Sequence, residues 1–284
     1  MRVLILGVTG MLGNAMFRFL STQPTLTAFG AVRRAAASKY FAPELWPNLI
    51  SGWDAENLDT TIRLFNQVRP QVVINCVGLV KQLAESDDPL QAIPINSMLP
   101  HRLAALAESV GARLIHISTD CVFLGSRGMY TEEDMQDAKD LYGRTKSLGE
   151  VTRPPAITLR TSIIGHELDG NRSLIGWFLS QAGPVKGFRK AIFSGLPTVE
   201  LSRVILDYVL PNHKLTGLYH VAARPIDKYS LLKIVSEIYG KSIEIVPDDH
   251  FGIDRSLDGT KFKNATGYEA PAWHELIHRM HAFK

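Results

Sequence analysis

A hydroxyl, a phenol and an ammonium group give this chain its most evident capacity for chemistry. Ser118-Thr119-Asp120-Cys121-Val122-Phe123 closes an apolar run, and Tyr142-Gly143-Arg144-Thr145-Lys146 opens a helical stretch soon afterwards. Tyr142 and Lys146 are four residues apart, so on a helix their side chains leave the same face. A free tyrosine titrates near about 10 and is a sluggish acid or base at neutral pH; a neighbouring ammonium favours the phenolate. Lowering the phenol by about three units would take roughly 4 kcal/mol of differential stabilisation, a reasonable demand on nearby positive charge in a dry site. Thr119, at the end of a strand, can donate to the same oxygen that the phenol serves. The three groups can pass a proton to a carbonyl oxygen.

A second pattern lies at the N-terminus. A short apolar run over residues 1–6 is followed by Gly7-Val8-Thr9-Gly10-Met11-Leu12-Gly13, the spacing GxxGxxG, and then by an amphipathic helical stretch. Glycines at 7, 10 and 13 permit a tight turn, a close backbone approach to phosphate and close packing of helix on strand. A helix starting near Met11 would aim its free N–H groups and positive dipole end at a pyrophosphate. Sites that prefer NAD carry an acid at the end of the second strand for the adenosine ribose. Here that position reads Phe29-Gly30-Ala31-Val32-Arg33-Arg34. A guanidinium at Arg33 suits the 2'-phosphate of NADP, so NADP(H) is the preferred cofactor and NAD(H) the alternative. Asp54, after the third strand, is positioned to meet the adenine edge.

These groups need a scaffold, and the first half of the chain alternates β-rich runs with helical patterns, which argues for βαβ units and a parallel sheet. Strands are expected near residues 3–6, 26–32, 49–51, 72–77, 114–118 and 157–160, with a returning strand at 218–222. Leu58, Ile62, Phe65 and Val68 form one helical stripe. Ile95, Met98, Leu99, Leu103, Leu106 and Val110 form another, with Gly111 as its C-terminal cap. A helix carrying Leu174, Trp177 and Phe178 precedes a Gly/Pro-rich stretch over 183–197, a helix follows at about 200–210, and residues 229–239, 243–246 and 273–281 complete a small mixed lobe. The expected fold is α/β: a doubly wound parallel Rossmann sheet with a smaller, discontinuous mixed α/β substrate lobe. Residues 1–165 plus about 200–223 form the dinucleotide-binding domain, and about 166–199 plus 224–284 the substrate-binding lobe.

Bulk properties narrow the alternatives. The chain has 284 residues, a net charge of +3 and only two cysteines, Cys76 and Cys121. A disulfide framework is excluded and a reduced, cytoplasmic protein is expected. No apolar run reaches membrane-spanning length, and no basic block is interleaved with aromatics, so neither a membrane nor a nucleic acid is an expected partner. The nine histidines contain no HExxH or comparable pairing, and no metal site is assigned. Cys121 lacks an evident histidine partner and reads as a packed thiol. Lys81 and Gln82 follow the fourth strand, where a loop would face substrate. A homodimer is the default assembly.

GVTGMLG at 7–13, STDCVF at 118–123, YGRTKSLGE at 142–150 and LRTSIIG at 159–165 together resemble the extended short-chain dehydrogenase/reductases, and within them the dTDP-4-dehydrorhamnose reductase family. Weaker echoes are Asn75-Cys76-Val77-Gly78, Asn96, Gly195-Leu196-Pro197-Thr198 and Gly217-Leu218-Tyr219-His220-Val221. The resemblance implies NAD(P)H-dependent reduction of the 4-keto group of a nucleotide-activated deoxysugar, in surface polysaccharide precursor synthesis. It implies Tyr142 as proton donor, Lys146 as its partner and Thr119 as the carbonyl-binding hydroxyl. It further implies cofactor contacts from Met11, Leu12, Asp54, Ala55, Cys76, Val77 and Gly78. Ser118 and Lys81 join the substrate candidates, and Trp177, Phe178, Arg189, Phe193 and Arg255 are the lobe residues expected to choose the sugar.

Two departures touch the substrate side. The family often has Tyr where Cys121 stands, and the loop from Thr119 to Tyr142 is one residue short. Magnesium use in the family carries over to no residue here. Sugar-nucleotide dehydratases place an acidic pair after the equivalent Thr, and Asp120 followed by Cys121 disfavours dehydration. A 4-epimerase using the same Tyr and Lys is one alternative. The other is a non-catalytic NADP-binding regulatory subunit, since a regulatory subunit of methionine adenosyltransferase looks like this family.

Overall fold

The computed structural model describes residues 1–79 and 84–284. Strands β1 (Arg2–Leu6), β2 (Thr27–Val32), β3 (Leu49–Ser51), β4 (Val72–Asn75), β5 (Arg113–Thr119) and β6 (Ile157–Thr161) fall where the apolar runs predict them. Between them lie α1 (Met11–Ser21), α2 (Leu58–Val68), α3 (Pro89–Ala92), α4 (Leu99–Ser109) and α5 (Leu141–Leu148). The later strands are β7 (Ile163–Ile164), β8 (Val185–Phe193), β9 (Leu196–Pro197), β10 (Gly217–His220), β11 (Ile226–Asp227) and β12 (Ile245–Asp254). The later helices are α6 (Leu174–Ser180), α7 (Thr198–Val204), α8 (Lys228–Tyr239), α9 (Thr260–Thr266) and α10 (Trp273–Ala282).

Seven strands form one parallel sheet in the order β10-β6-β5-β4-β1-β2-β3. Strand order reverses between β1 and β4, and in open α/β sheets the crevice beyond the strand ends at such a point is where ligands bind. Helices cover both faces. Val3, Ile5, Ile74, Ile115, Ile117 and Leu159 pack against α1, α7 and α10 on one side, while Leu4, Leu6, Val73 and Leu114 pack against α2 and α4 on the other. Strands buried on both faces are apolar at successive positions, which is why they are readable as short runs.

Several expectations are corrected. On α2, Leu58 and Ile62 are exposed, and the buried face is Thr61, Leu64, Phe65 and Val68. Trp53 accounts for the change, because its indole N–H donates to Thr61 Oγ1 at 3.0 Å and draws that side of the helix inward. The second stripe is not one regular helix. A π-helical turn at Ile93–Met98 precedes α4, and its wider step leaves Met98 exposed while Ile95, Leu99 and Leu103 stay buried. Val110 is exposed and Gly111 follows it at φ +67°, the left-handed C-terminal geometry expected there. The Gly/Pro-rich stretch contains a nine-residue strand, β8, at the centre of a mixed three-stranded sheet ordered β11-β8-β12. The helix expected at about 200–210 starts at Thr198 and ends in a second π-helical turn, Ile205–Val209.

The segment after β5 is zipped to the segment after β12. Asp254 N–H donates to Gly125 O at 2.9 Å, Tyr130 N–H to Ser256 O at 2.9 Å, and Asp258 N–H to Tyr130 O at 2.8 Å. Arg255 is thereby delivered to the region just beyond Thr119. No helix among the described residues is long and apolar enough to cross a membrane.

Candidate active site

The glycine loop sits at the reversal point of the sheet. Gly7 adopts φ +85°, and a Cβ on it would lie 3.1 Å from the Cys76 carbonyl carbon, so the ends of β1 and β4 approach each other too closely for a side chain. A Cβ on Gly13 would lie 2.2 Å from Gly7 O, which makes glycine necessary for seating α1 against the turn. Gly10 caps α1 without any side-chain hydrogen bond, and Gly10 and Thr9 are exposed. The first turn of this 11-residue helix thus presents free N–H groups at an open, uncluttered backbone, which fits a pyrophosphate. Met11 is half-buried at the lip and Leu12 is buried beneath it.

Arg33 and Asp54 meet at the ends of β2 and β3, with Arg33 Nη2 3.6 Å from Asp54 Oδ1. Both side chains are largely solvent-accessible, so the pair contributes little stability and the guanidinium can exchange partners. Ala55 is buried beside Asp54. Beyond β4, Cys76, Val77 and Gly78 are half-buried. Asn75 orders this turn: its Oδ1 accepts from Val77 N–H at 3.1 Å, and its Nδ2 lies 3.1 Å from His116 Nδ1. The Cys76 thiol is pushed up to about 12 by burial, so it is a neutral wall of the crevice.

Asn96, in the first π-helical turn, ties the β4 loop to α5. Its Oδ1 accepts from Leu79 N–H at 2.9 Å, and its Nδ2 donates to Thr145 Oγ1 at 3.3 Å. A Cβ on Gly149 would lie 1.9 Å from Asn96 O, so the glycine closing α5 permits this contact. Asp140 caps α5 by accepting from Gly143 N–H at 2.8 Å. Lys146 is buried, and its Nζ donates to Ile117 O at 2.9 Å. A Cβ on Gly78 would be 3.7 Å from that Nζ, which places the lysine beside the loop that follows β4. Burial lowers the ammonium to about 8, with Glu150 and Cys76 acting in the opposite direction.

Thr119 is buried at the end of β5; its Oγ1 donates to Asp120 Oδ1 at 3.1 Å and accepts from Cys121 N–H at 3.1 Å. Tyr142 is half-buried, and the Thr119 hydroxyl is among the groups that act on its phenol. The expected lowering of its phenol is reversed in the protein alone. Burial raises it above the ordinary tyrosine value, Cys121, Asp120 and Asp140 reinforce the rise, and the Thr119 hydroxyl offsets part of it. A phenol so held is a proton donor at neutral pH. Burial also raises the Asp120 carboxyl, although Arg255 and three hydroxyl or thiol neighbours pull it down.

The substrate candidates divide. Arg255 reaches the site: its Nε donates to Phe123 O at 2.7 Å and its Nη1 lies 3.7 Å from Cys121 Sγ. Ser118 turns inward, donating to Glu150 Oε1 at 2.7 Å. Arg189 is paired with Asp249 on the exposed surface of the three-stranded sheet. Trp177 lies on α6, partly exposed, while Phe178 and Phe193 are packed in the core. Lys81 and Gln82 lie outside the described residues. Two residues escaped sequence reasoning. Lys228, at the start of α8, feels Asp120, Cys121 and Arg255, and burial lowers its ammonium. Glu150 is the other, and its position four residues after Lys146 is the signal that could have found it. Among the described residues, no three His, Cys, Asp or Glu side chains group to hold a metal ion.

The chain is 34% identical over 149 residues to methionine adenosyltransferase 2 subunit beta of Rattus norvegicus, covering 52% of this chain and 41% of that relative's length. It is 31% identical over 227 residues to the spore coat polysaccharide biosynthesis protein SpsK of Bacillus subtilis, covering 76% of this chain and 74% of that one. A crystal structure of dTDP-4-dehydrorhamnose reductase from Bacillus anthracis in complex with NADP superposes with a TM-score of 0.80 at 21% identity, covering 100% of this chain and 98% of that one, a likeness of fold. The model of the RmlD substrate binding domain matches residues 1–282. The chain therefore belongs to the RmlD substrate binding domain family.

Proposed function

We propose that this protein is an NADP(H)-dependent reductase of the 4-keto group of a nucleotide-activated deoxysugar, acting in polysaccharide precursor synthesis, with NAD(H) as the alternative cofactor. The observation that carries the reading is the convergence of Thr119, Tyr142 and Lys146 on the crevice beyond β4 and β5, next to a glycine loop that fits a pyrophosphate. Gly7, Gly10, Met11, Leu12 and Gly13 would hold the pyrophosphate, Arg33 the 2'-phosphate, Asp54 and Ala55 the adenine edge, and Cys76, Val77, Gly78, Tyr142 and Lys146 the nicotinamide half. When bound, the reduced nicotinamide supplies the hydride.

The protein's own part is proton transfer and charge stabilisation. Tyr142 gives its proton to the oxygen that becomes an alkoxide as the keto carbon is reduced. The Thr119 hydroxyl donates to the same oxygen, which requires it to leave Asp120 Oδ1. Lys146 donates to the ribose hydroxyls and favours the tyrosinate left behind. Residues 166–199 and 224–284 are read as the lobe that holds the nucleotide sugar, with Arg255 and Lys228 as its cations that act on Asp120.

Replacing Tyr142 with Phe tests the assignment. The rate of NADPH oxidation with the accepted keto sugar should fall about 10²–10⁴-fold while the cofactor still binds. An unchanged rate would remove Tyr142 from the mechanism. A second reading, a non-catalytic NADP-binding regulatory subunit, is supported by the identity to methionine adenosyltransferase 2 subunit beta over half the chain. Retention of Thr119, Tyr142 and Lys146 in one crevice favours the first.

A further inference from the structure

Two side-chain amides hold the segment that leaves β4. Cys76 N–H still donates to Leu6 O at 3.1 Å, in line with the sheet. Val77 N–H then donates to Asn75 Oδ1 at 3.1 Å, and Leu79 N–H donates to Asn96 Oδ1 at 2.9 Å. The segment lies between two parts of the site. A Cβ on Gly7 would lie 3.2 Å from Val77 Cγ2, and a Cβ on Gly78 would lie 3.7 Å from Lys146 Nζ. Whatever orients Asn75 therefore orients the backbone between the glycine loop and the lysine.

Asn96 is anchored by both atoms of its amide, because its Nδ2 donates to Leu79 O and to Thr145 Oγ1, each at 3.3 Å. Asn75 depends on His116 instead. A main-chain N–H can only donate, so the Asn75 oxygen faces Val77 and its NH2 faces His116 Nδ1, 3.1 Å away. Nδ1 is then the acceptor, and the ring proton sits on Nε2 of a neutral imidazole. His116 is 0% exposed on β5, and no group among the described residues bonds its Nε2. A buried donor without a partner costs stability, so a position used for packing alone would be better filled by an apolar side chain. What such a side chain would lack is the acceptor at Nδ1.

We propose that His116 is a positioning residue for the nicotinamide half of the site: its Nδ1 lone pair sets the Asn75 amide, and the amide sets the turn at Val77 between Gly7 and Lys146. The inference rests on the reading of Cys76, Val77 and Gly78 as cofactor contacts. Without the lone pair the Asn75 amide is free to rotate, Val77 N–H loses its acceptor, and the wall beside the nicotinamide end relaxes. The glycine loop is closed by its own bonds, Gly10 N–H to Gly7 O and Asn14 N–H to Gly10 O, each at 2.9 Å. Neither passes through His116, so the adenosine half should be spared.

The test compares two variants of nearly equal shape. His116→Asn keeps an acceptor where Nδ1 stands, because both atoms are bonded to Cγ, whereas His116→Leu places a methyl group there. NADPH binding is followed by cofactor fluorescence, and binding of adenosine 2',5'-bisphosphate, which carries the adenosine half alone, by calorimetry. His116→Leu should bind NADPH about 5- to 10-fold more weakly, the scale of one buried hydrogen bond, and His116→Asn should stay within about twofold of the wild type. The bisphosphate should bind all three proteins alike. Equal NADPH affinity in His116→Leu and the wild type overturns the proposal. So do equal losses in both variants, or a loss in His116→Leu that the bisphosphate shares, which would mark a general loosening of the fold. Where neither variant folds, nitrogen NMR of the wild type decides: the His116 ring should carry its proton on Nε2 alone, and a proton on Nδ1 overturns the proposal. A wild type that binds neither ligand removes the cofactor reading and the proposal with it. The other contrary outcomes remove the proposal and leave that reading intact.

Discussion

Lys146 Nζ donates to the main-chain oxygen of Ile117 at 2.9 Å, two residues before Thr119 on the same strand. One hydrogen bond thus fixes the helix that carries Tyr142 against the strand that ends in Thr119. Asn96 adds a second tie to the same helix through Thr145. On the proposed reading Lys146 has two tasks, one toward the fold and one toward a bound ribose. A substitution that keeps only its length should lose both.

Arg33 and Asp54 give a prediction about cofactor choice. The guanidinium is exposed and loosely paired at 3.6 Å, so a 2'-phosphate can compete for it. Arg33→Ala should weaken NADPH binding by about 10- to 100-fold, the loss of one charged hydrogen-bonding partner, and leave NADH nearly unaffected. Equal losses for both cofactors in titrations would place the 2'-phosphate elsewhere.

The buried ion pair of Glu150 and Arg160 predicts a stability effect separate from chemistry. Glu150→Gln leaves Arg160 buried without its anion, which should cost about 3–5 kcal/mol. Urea unfolding of the single variant, compared with Glu150→Gln/Arg160→Met, reads the difference. The double variant should recover a large part of the loss, and equal instability of the two would mean that the unpaired charge is not the cause.

His220 predicts an acid-sensitive fold. Burial, reinforced by the adjacent Arg160, lowers its imidazole to about 3. The unfolded chain binds a proton near the ordinary value of 6.5, whereas the folded one does not until about 3. Between those values the unfolded state holds more protons, so stability falls as pH drops through that window. His116, also held uncharged by burial, acts in the same direction. His220→Gln should flatten the fall in urea midpoint by up to about one proton's worth of slope, and an unaltered slope would assign the acid sensitivity to other groups.

The main sheet was legible because its strands are buried on both faces and interrupt the helical patterns as compact apolar runs. The glycine loop and the Tyr142/Lys146 spacing were legible because their chemistry is local: a turn, and one face of a helix. What escaped depends on partners distant in the chain. On β8, Lys186, Arg189 and Lys190 interrupt the buried positions, and Asp248 and Asp249 pair with Lys186 and Arg189 from β12 some sixty residues later. Arg189 therefore looks like a substrate cation in sequence and is a surface ion pair in the fold. Leu58 and Ile62 were assigned inward because they are apolar, yet Thr61 takes the inward place through its bond to Trp53. Ser118 is a substrate candidate in sequence. Strand alternation sends it to the opposite face, where Glu150 accepts its hydroxyl.

The most direct test of the account counts cofactor against product. Purified protein is mixed with NADPH and a panel of nucleotide-linked 4-keto-6-deoxy sugars, and absorbance loss of the reduced nicotinamide is compared with sugar consumed. One equivalent of NADPH should be oxidised per sugar reduced with at least one member of the panel, and Tyr142→Phe should lose that oxidation. Binding of NADPH with no net oxidation across the panel would contradict it and favour an epimerase or a regulatory subunit.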